Sequence, residues 1–550
     1  MKIKVNKYNE WILAVGIPLV TLTLTKGVNF DPTNLPKMLM LSTVSFGLFF
    51  SSILDFKYQF KKIRLILICI SLFLFSYLLS VLFSASPFTL KFYGAFGRNT
   101  GLLTYLSLSL IFASAVLYKS KYFARNFALG LITAFSINVI YSGFQLLGID
   151  PVGWNNFFHT ILGTFGNPDF ISAFLAMGFA ATLPYIFDNK QSKTIRLFCI
   201  IISFLALFEI IKSRAIQGIL IALLSVFIFA LIRIYLANKR FSFFLGILGS
   251  ILFLIGMFGI FQKGPLAEIL YKSSVTLRGF YWRAGLEMFK KNILFGLGPD
   301  TYGTWYQRTR STSSVVPPGS VETVTNASHN VFIDILASAG IFAFFTYILL
   351  VFSAIWITLS AIKKNQTIPT ELLAIFLAYL AYLWQSVVSI NQIGLAVWGW
   401  SLPGVLISSF IWQKDKQNFD GLNKKLKNSE NKTFSQATFG LLLGFIIAFP
   451  AWNADSNWLA AFKSRNVDQV LQAAKNWPLD SRRLTEISLL LDNNKLYAQS
   501  QEINKIAISH DPDYYDAWRA VYVNPLSTES EKQTALENLK RLDPLNPRWK

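Results

Sequence analysis

The chain runs as long apolar stretches broken by short polar ones from Trp11 to Trp412, and then changes character. A hydrocarbon core about 30 Å thick takes roughly 20 apolar residues per helix. Stretches of that length predict spans at 10–26, 35–54, 65–84, 101–118, 125–148, 168–187, 195–211, 215–237, 241–261, 329–360, 371–389 and 395–413. A thirteenth, 436–453, is set apart by the polar run 414–435. The expected fold class is all-α, a polytopic membrane helix bundle.

Two regions break the pattern. Between spans nine and ten lies a long polar segment, 262–328. Its first part, 268–296, sets Arg and Trp beside an apolar stripe and predicts an amphipathic helix in the interface plane. Its last part, 311–328, is Ser, Thr, Val, Pro and Gly and predicts a mobile loop. After span thirteen, residues 456–550 read as soluble. Pro478, Pro512 and Pro544 recur there in Trp-Pro-Leu-Asp, Asp-Pro-Asp-Tyr and Asp-Pro-Leu-Asn-Pro, with helix-forming runs between them. That recurrence resembles tetratricopeptide-type helical hairpins, and it implies a possible protein partner for this region. An array this short is expected to lean on the membrane domain.

Composition supports lipid as the main solvent: 53% of residues are hydrophobic, 15% are charged and 51 are Phe. The first stretch has no small-residue cleavage site after Leu19, so it is expected to remain as a span rather than be cut off. The two cysteines, Cys69 and Cys199, lie inside spans, which argues against disulfides and a cysteine metal site.

A net charge of +22 would suit nucleic acid, but its placement points to a membrane. Lys57, Lys61, Lys62 and Arg64 share one connection, and Lys119, Lys121 and Arg125 the next on that side. Lys190, Lys193 and Arg196 follow, then Arg233, Lys239 and Arg240, then Lys363 and Lys364, and last the run Lys414 to Lys432. Every second loop is basic. The positive-inside rule makes those loops cytoplasmic, together with Lys2, Lys4 and Lys7, and puts 262–328 and 456–550 outside the cell membrane.

With that orientation Arg98, Glu209, Lys212, Arg214, Arg278, Arg283, His329 and Asp334 gather at the outer boundary. A transporter places ionisable groups near the bilayer midplane, and the span interiors here are nearly free of them. A ring of cations at headgroup level suits a substrate anchored in lipid and carrying phosphate, because guanidinium forks bind phosphate oxygens bidentately.

Five motifs in order carry a family resemblance. They are Gly97-Arg98-Asn99-Thr100-Gly101; Leu162-Gly163-Thr164-Phe165-Gly166-Asn167-Pro168; Ser213-Arg214 with Gly218; Arg278, Trp282 and Gly296-Leu297-Gly298; and Ala327-Ser328-His329-Asn330 opening a helix that reaches Gly340-Ile341. Over residues 10–413 the chain resembles the O-antigen ligase and polymerase family, departing from it at Asp169, where Asn is usual. The resemblance implies transfer of a glycan from undecaprenyl diphosphate to an acceptor hydroxyl on a glycan, lipid or protein. It implies inversion at the anomeric carbon, with no metal or other cofactor and no nucleotide sugar. A polysaccharide polymerase or protein O-oligosaccharyltransferase is the nearest alternative. A flippase and a non-catalytic scaffold belong to other classes.

Within that reading Arg214 and Arg278 bind the diphosphate, with Arg98 and Arg283 as further candidates, and His329 accepts the acceptor's proton. The plainer alternatives are interfacial anchoring for Arg98 and Arg214 and helix capping for His329. Arg283 lies off the face of Arg278, Asp334 lies too far around its helix for a dyad with His329, and Glu209 is expected to pair locally with Lys212. His159 and His510 are expected to be solvated or packing residues.

Overall fold

The computed structural model describes residues 7–118, 122–261, 263–270, 273–365, 367–413 and 430–549. Of the basic positions, Lys2, Lys4, Lys119, Lys121 and the run Lys414 to Lys427 fall outside the described residues, as does most of the linker 414–435. The described residues form helices and no strands. Eleven helices are long and apolar enough to cross a membrane, and Asn9–Leu22 and Leu102–Leu117 are shorter apolar ones. Each predicted span falls on one of these, as apolar periodicity at bilayer length should dictate.

The bundle has a wrapped centre and a lipid-facing rim. Ile393–Ile411 is almost wholly enclosed, whereas Lys239–Gly259 is almost wholly bare. Aromatic rings fill the centre: Tyr77 and Tyr105 lie 4.4 Å apart, and Tyr347 packs 5.6 Å from Trp400. Burial of this kind dominates core energetics.

Long-range hydrogen bonds define one working face. The Asn34 amide donates to the Gly97 carbonyl (2.7 Å), and Ser84 Oγ donates to the Leu297 carbonyl (2.6 Å). Both ends of the helical stretch Asn34–Phe83 therefore return to the same side. On the far side Thr370 donates to the Asp188 carboxylate (2.6 Å), joining two of the basic connections.

The thirteenth span is not apart in space. Its helix runs from Glu430 to Ser464, through the expected boundary at 453–456, and packs along Asn34–Ile53. Gly440 and Gly444 let the two backbones meet: a Cβ there would stand 2.4 Å from the Phe46 oxygen and 2.3 Å from the Ser42 oxygen. Small residues four apart are the usual device for close helix approach in lipid. Beyond Ser464 come short helices, Val467–Ala474, Ser481–Asn493, Tyr497–His510, Tyr515–Val523 and Glu529–Leu542, stacked as hairpins. Pro478 and Pro512 lie in turns between them, and Pro544 in the turn after the last.

This helical region is docked on the working face. The Thr89 hydroxyl donates to the Leu479 carbonyl (2.8 Å), Arg308 pairs with Asp513 (3.0 Å), and Phe30 packs against the core that these helices share with Trp458. The segment 311–328, expected to be mobile, is held by the same contact. Arg310 donates to the Val321 and Thr323 carbonyls and to Asp543, and Thr312–Val315 winds into a short helix. Composition missed this because the anchor, Asp543, lies more than two hundred residues away in sequence.

Candidate functional site

His329 stands at the start of the helix Val331–Asn365. Capping falls to its neighbour: the Asn330 side chain accepts from the amides of Phe332 (3.0 Å) and Ile333 (3.1 Å). The Ser328 amide donates to Asp334 (2.8 Å), and Ser328 Oγ donates to the Asn330 carbonyl (2.8 Å). Held on both sides, His329 takes the left-handed conformation (φ 56°), uncommon outside glycine, and turns its ring off the helix. Among the described residues no group hydrogen-bonds that ring. Tyr281 packs beside it at 5.6 Å. Burial first, then the Arg278 and Arg98 charges, push the imidazole pKa down to about 4. Desolvation is the larger of these causes.

Arg98 lies behind the histidine, in the interior. Its guanidinium reaches Asp300 (3.1 Å) and Asp334 (3.7 Å) and donates to the Asn326 carbonyl (2.6 Å). Asp300, which sequence reasoning passed over, also accepts from the amides of Ala95 (2.8 Å) and Thr100 (2.9 Å). The first outer motif is thus stitched to the long segment and to the histidine helix. A break in that helix sets the stitch: Gly340 adopts φ 75°, ψ −171°, a conformation open essentially to glycine alone. The carbonyls of Ala337 and Ser338 then accept from the amides of Leu297 (2.9 Å) and Gly298 (3.0 Å). Arg98 is therefore a buried hub rather than a cation facing solvent.

Arg278 differs. It projects from Ser273–Lys291, the expected amphipathic helix, whose inner face buries Ala284, Gly285 and Met288. It approaches the half-exposed Asp169 carboxylate at 3.9 Å. At that distance the pair is loose, so an anion with two or more charges can displace it. Arg98, enclosed between two carboxylates, has no such freedom. Asp169 is in turn tied to the Arg214 turn, since the Gln217 amide donates to the Asp169 carbonyl (2.5 Å). Arg214 itself has φ 60° and is exposed at the end of Lys193–Lys212. Arg283 points outward from the exposed side of its helix, and no described contact brings it to Arg278 or His329.

One further expectation changes. Glu209 is buried against Gly143 and forms no pair with Lys212, whose ammonium lies over the Phe208 ring instead. His510 is a packing residue at the seam. Its Nε2 sits 3.2 Å from the Thr89 hydroxyl, and it lines a cleft of about 850 Å³ between the membrane helices and the C-terminal helices. His329 lines the same cleft from the membrane side. The working face thus presents a free imidazole with the cleft on one side and Arg278, Asp169 and the Arg214 turn on the other.

Residues 172–348 match the family described as O-antigen ligase. The matched stretch begins just after Asp169 and includes Arg214, Arg278, Arg283, His329 and the break at Gly340. Arg98 and the C-terminal helices lie outside it. No curated protein matches the chain.

Proposed function

We propose that this chain, a multi-pass membrane enzyme with an O-antigen-ligase-like domain, transfers a glycan from undecaprenyl diphosphate to an acceptor hydroxyl at the outer face of the cytoplasmic membrane. The observation that carries the reading is the free imidazole of His329, set between an open cleft and the displaceable cation Arg278. The acceptor oxygen enters from the cleft and attacks the anomeric carbon from the side opposite the diphosphate. As the new bond forms, the bond from sugar to diphosphate breaks, and the leaving group takes its electrons. His329 takes the hydroxyl proton; Arg278, with Arg214 across Asp169, stabilises the charge growing on the diphosphate. Arg98 is a positioning residue in this scheme, and Arg283 has no assigned part.

Binding the diphosphate beside Arg278 also offsets the cation that depresses His329, so the base strengthens when the donor arrives. A flippase is less well supported, because Lys37, Asp169, Glu209 and Asp334 lie near span ends on the working face rather than at the midplane. The test is whether a phosphate-bearing polyprenyl lipid co-purifies with the protein. It should do so with the native chain and be lost from the double variant Arg214→Ala, Arg278→Ala. A native chain that carries no such lipid and transfers no glycan would reject the proposal.

A further inference from the structure

The cleft has two chemically different ends, and only one of them belongs to the transfer chemistry. Its membrane end holds His329, while its far wall is built by the helices Ser481–Asn493 and Tyr515–Val523 of the C-terminal region. On that wall Arg482, Asp516 and Arg519 are exposed to the cleft, and Glu486 lies beside Arg482 (2.6 Å). Docking is carried by Arg308, Arg310, Thr89 and Trp458, and of the wall groups Arg482 adds a contact to the Phe96 ring. Asp516 and Arg519 face open space with hydrogen-bonding capacity to spare.

The charge balance selects the ligand. Among the described lining residues there are seven carboxylates and four guanidiniums, with Asp300, Asp455 and Asp511 buried and already paired or hydrogen-bonded, so no excess of cations favours an anionic ligand. The same groups, alternating donor and acceptor, match an array of hydroxyls. Aromatic faces lie among them: Arg482 is stacked 4.7 Å over Phe96, whose ring is 5.6 Å from Trp458. A volume of about 850 Å³ falls in the range of roughly 300–1,000 Å³ in which pockets hold organic ligands.

We propose that the C-terminal helical region is a saccharide-recognition wall, on which Arg482, Glu486, Asp516 and Arg519 hold an uncharged glycan in the cleft with one hydroxyl directed to His329. The inference deepens the transferase reading and rests on it for the role of that hydroxyl, but saccharide binding is measurable by itself. The saccharide has two possible sources, the distal sugars of the donor or those of the acceptor.

The experiment uses the full chain in lipid nanodiscs and, as probe, oligosaccharides released from the delipidated cell envelope of the source organism. The retained fraction is sequenced by mass spectrometry, and its affinity is read from tryptophan fluorescence. The native chain and the His329→Ala variant should both retain neutral oligosaccharides. Arg482→Gln combined with Asp516→Asn should bind them at least tenfold more weakly at an unchanged melting temperature. In transfer assays the same double variant should raise one KM about tenfold with kcat within about threefold. A rise in KM for the acceptor assigns the wall to the acceptor sugars, and a rise for the donor assigns it to the donor glycan. Retention of peptides or of acidic fragments alone, no retention at all, or unchanged affinity in the double variant would overturn the proposal. Retention of neutral fragments by a chain that transfers nothing would leave the wall standing and remove the transferase reading instead.

Discussion

Arg310 and Asp543, 233 residues apart, meet through two hydrogen bonds of 2.7 and 2.9 Å with neither side chain reachable by solvent. This pair fastens the C-terminal helices to the long segment before His329, so it couples the cleft's two walls. Removing one partner strands a buried charge, which costs about 3–5 kcal/mol, whereas replacing both by apolar side chains is often near neutral. Asp543→Ala should therefore expose the region after Ser464 to protease at far lower doses than the native chain. The double variant Arg310→Met, Asp543→Leu should recover most of the protection. Equal protease resistance in all three proteins would show that docking does not depend on this pair.

The diphosphate assignment separates Arg278 and Arg214 from mere anchors. Lys keeps the charge but loses the planar fork. Arg278→Lys and Arg214→Lys should each reduce transfer by roughly tenfold or more, taking one bidentate contact as about 1.5–3 kcal/mol. Arg283→Lys, outside the cluster, should stay near native. Native rates in both of the first two variants would remove them from the diphosphate site.

His329→Gln keeps a polar side chain but cannot take a proton, so it should slow turnover roughly a hundredfold while donor binding stays nearly intact. A near-native rate would leave His329 a positioning role only.

The same residue sets a pH signature. Its pKa in the free protein is pushed down to about 4, so at neutral pH the ring is already the neutral base. The acid limb of kcat/KM, which reports free enzyme, should lie well below 6.5, and the acid limb of kcat should lie higher because bound diphosphate offsets Arg278. For stability the sign follows from the unfolded chain binding the proton more tightly. The native protein loses stability as pH falls from about 6.5 towards 4, and His329→Gln should flatten that slope. Coincident acid limbs near 6.5 for both rate constants would contradict the depressed value.

Topology is testable without any assay of chemistry. With the basic loops cytoplasmic, a reporter active only in the cytoplasm and fused after Lys550 should be silent, and one fused in the connection 188–192 should be active. Activity after Lys550 would put the cleft on the wrong side for an outer acceptor.

Much of this protein is written locally and is legible as such. Apolar stretches of bilayer length have only one satisfactory backbone solution in lipid, the helix, so the eleven long apolar helices and the two shorter ones could be read from the sequence. The alternation of basic loops sorted their ends into two faces, and the unusual residues Arg214, Arg278 and His329 stood out because charge is costly in lipid. The sequence could not tell which cations are free. Arg98 and Arg278 look alike along the chain, yet one is closed between Asp300 and Asp334 and the other meets only a loose, half-exposed carboxylate. That difference lies in partners more than a hundred residues away in sequence. Nor could spacing show that Gly440 and Gly444 would lay the thirteenth span on the second, or that Asp543 would pin residues 311–328. Those contacts bring His510 and the Arg482 wall over His329. Helices are determined by what each segment can bury and bond within itself; the cleft exists only between segments, and only their packing decides it.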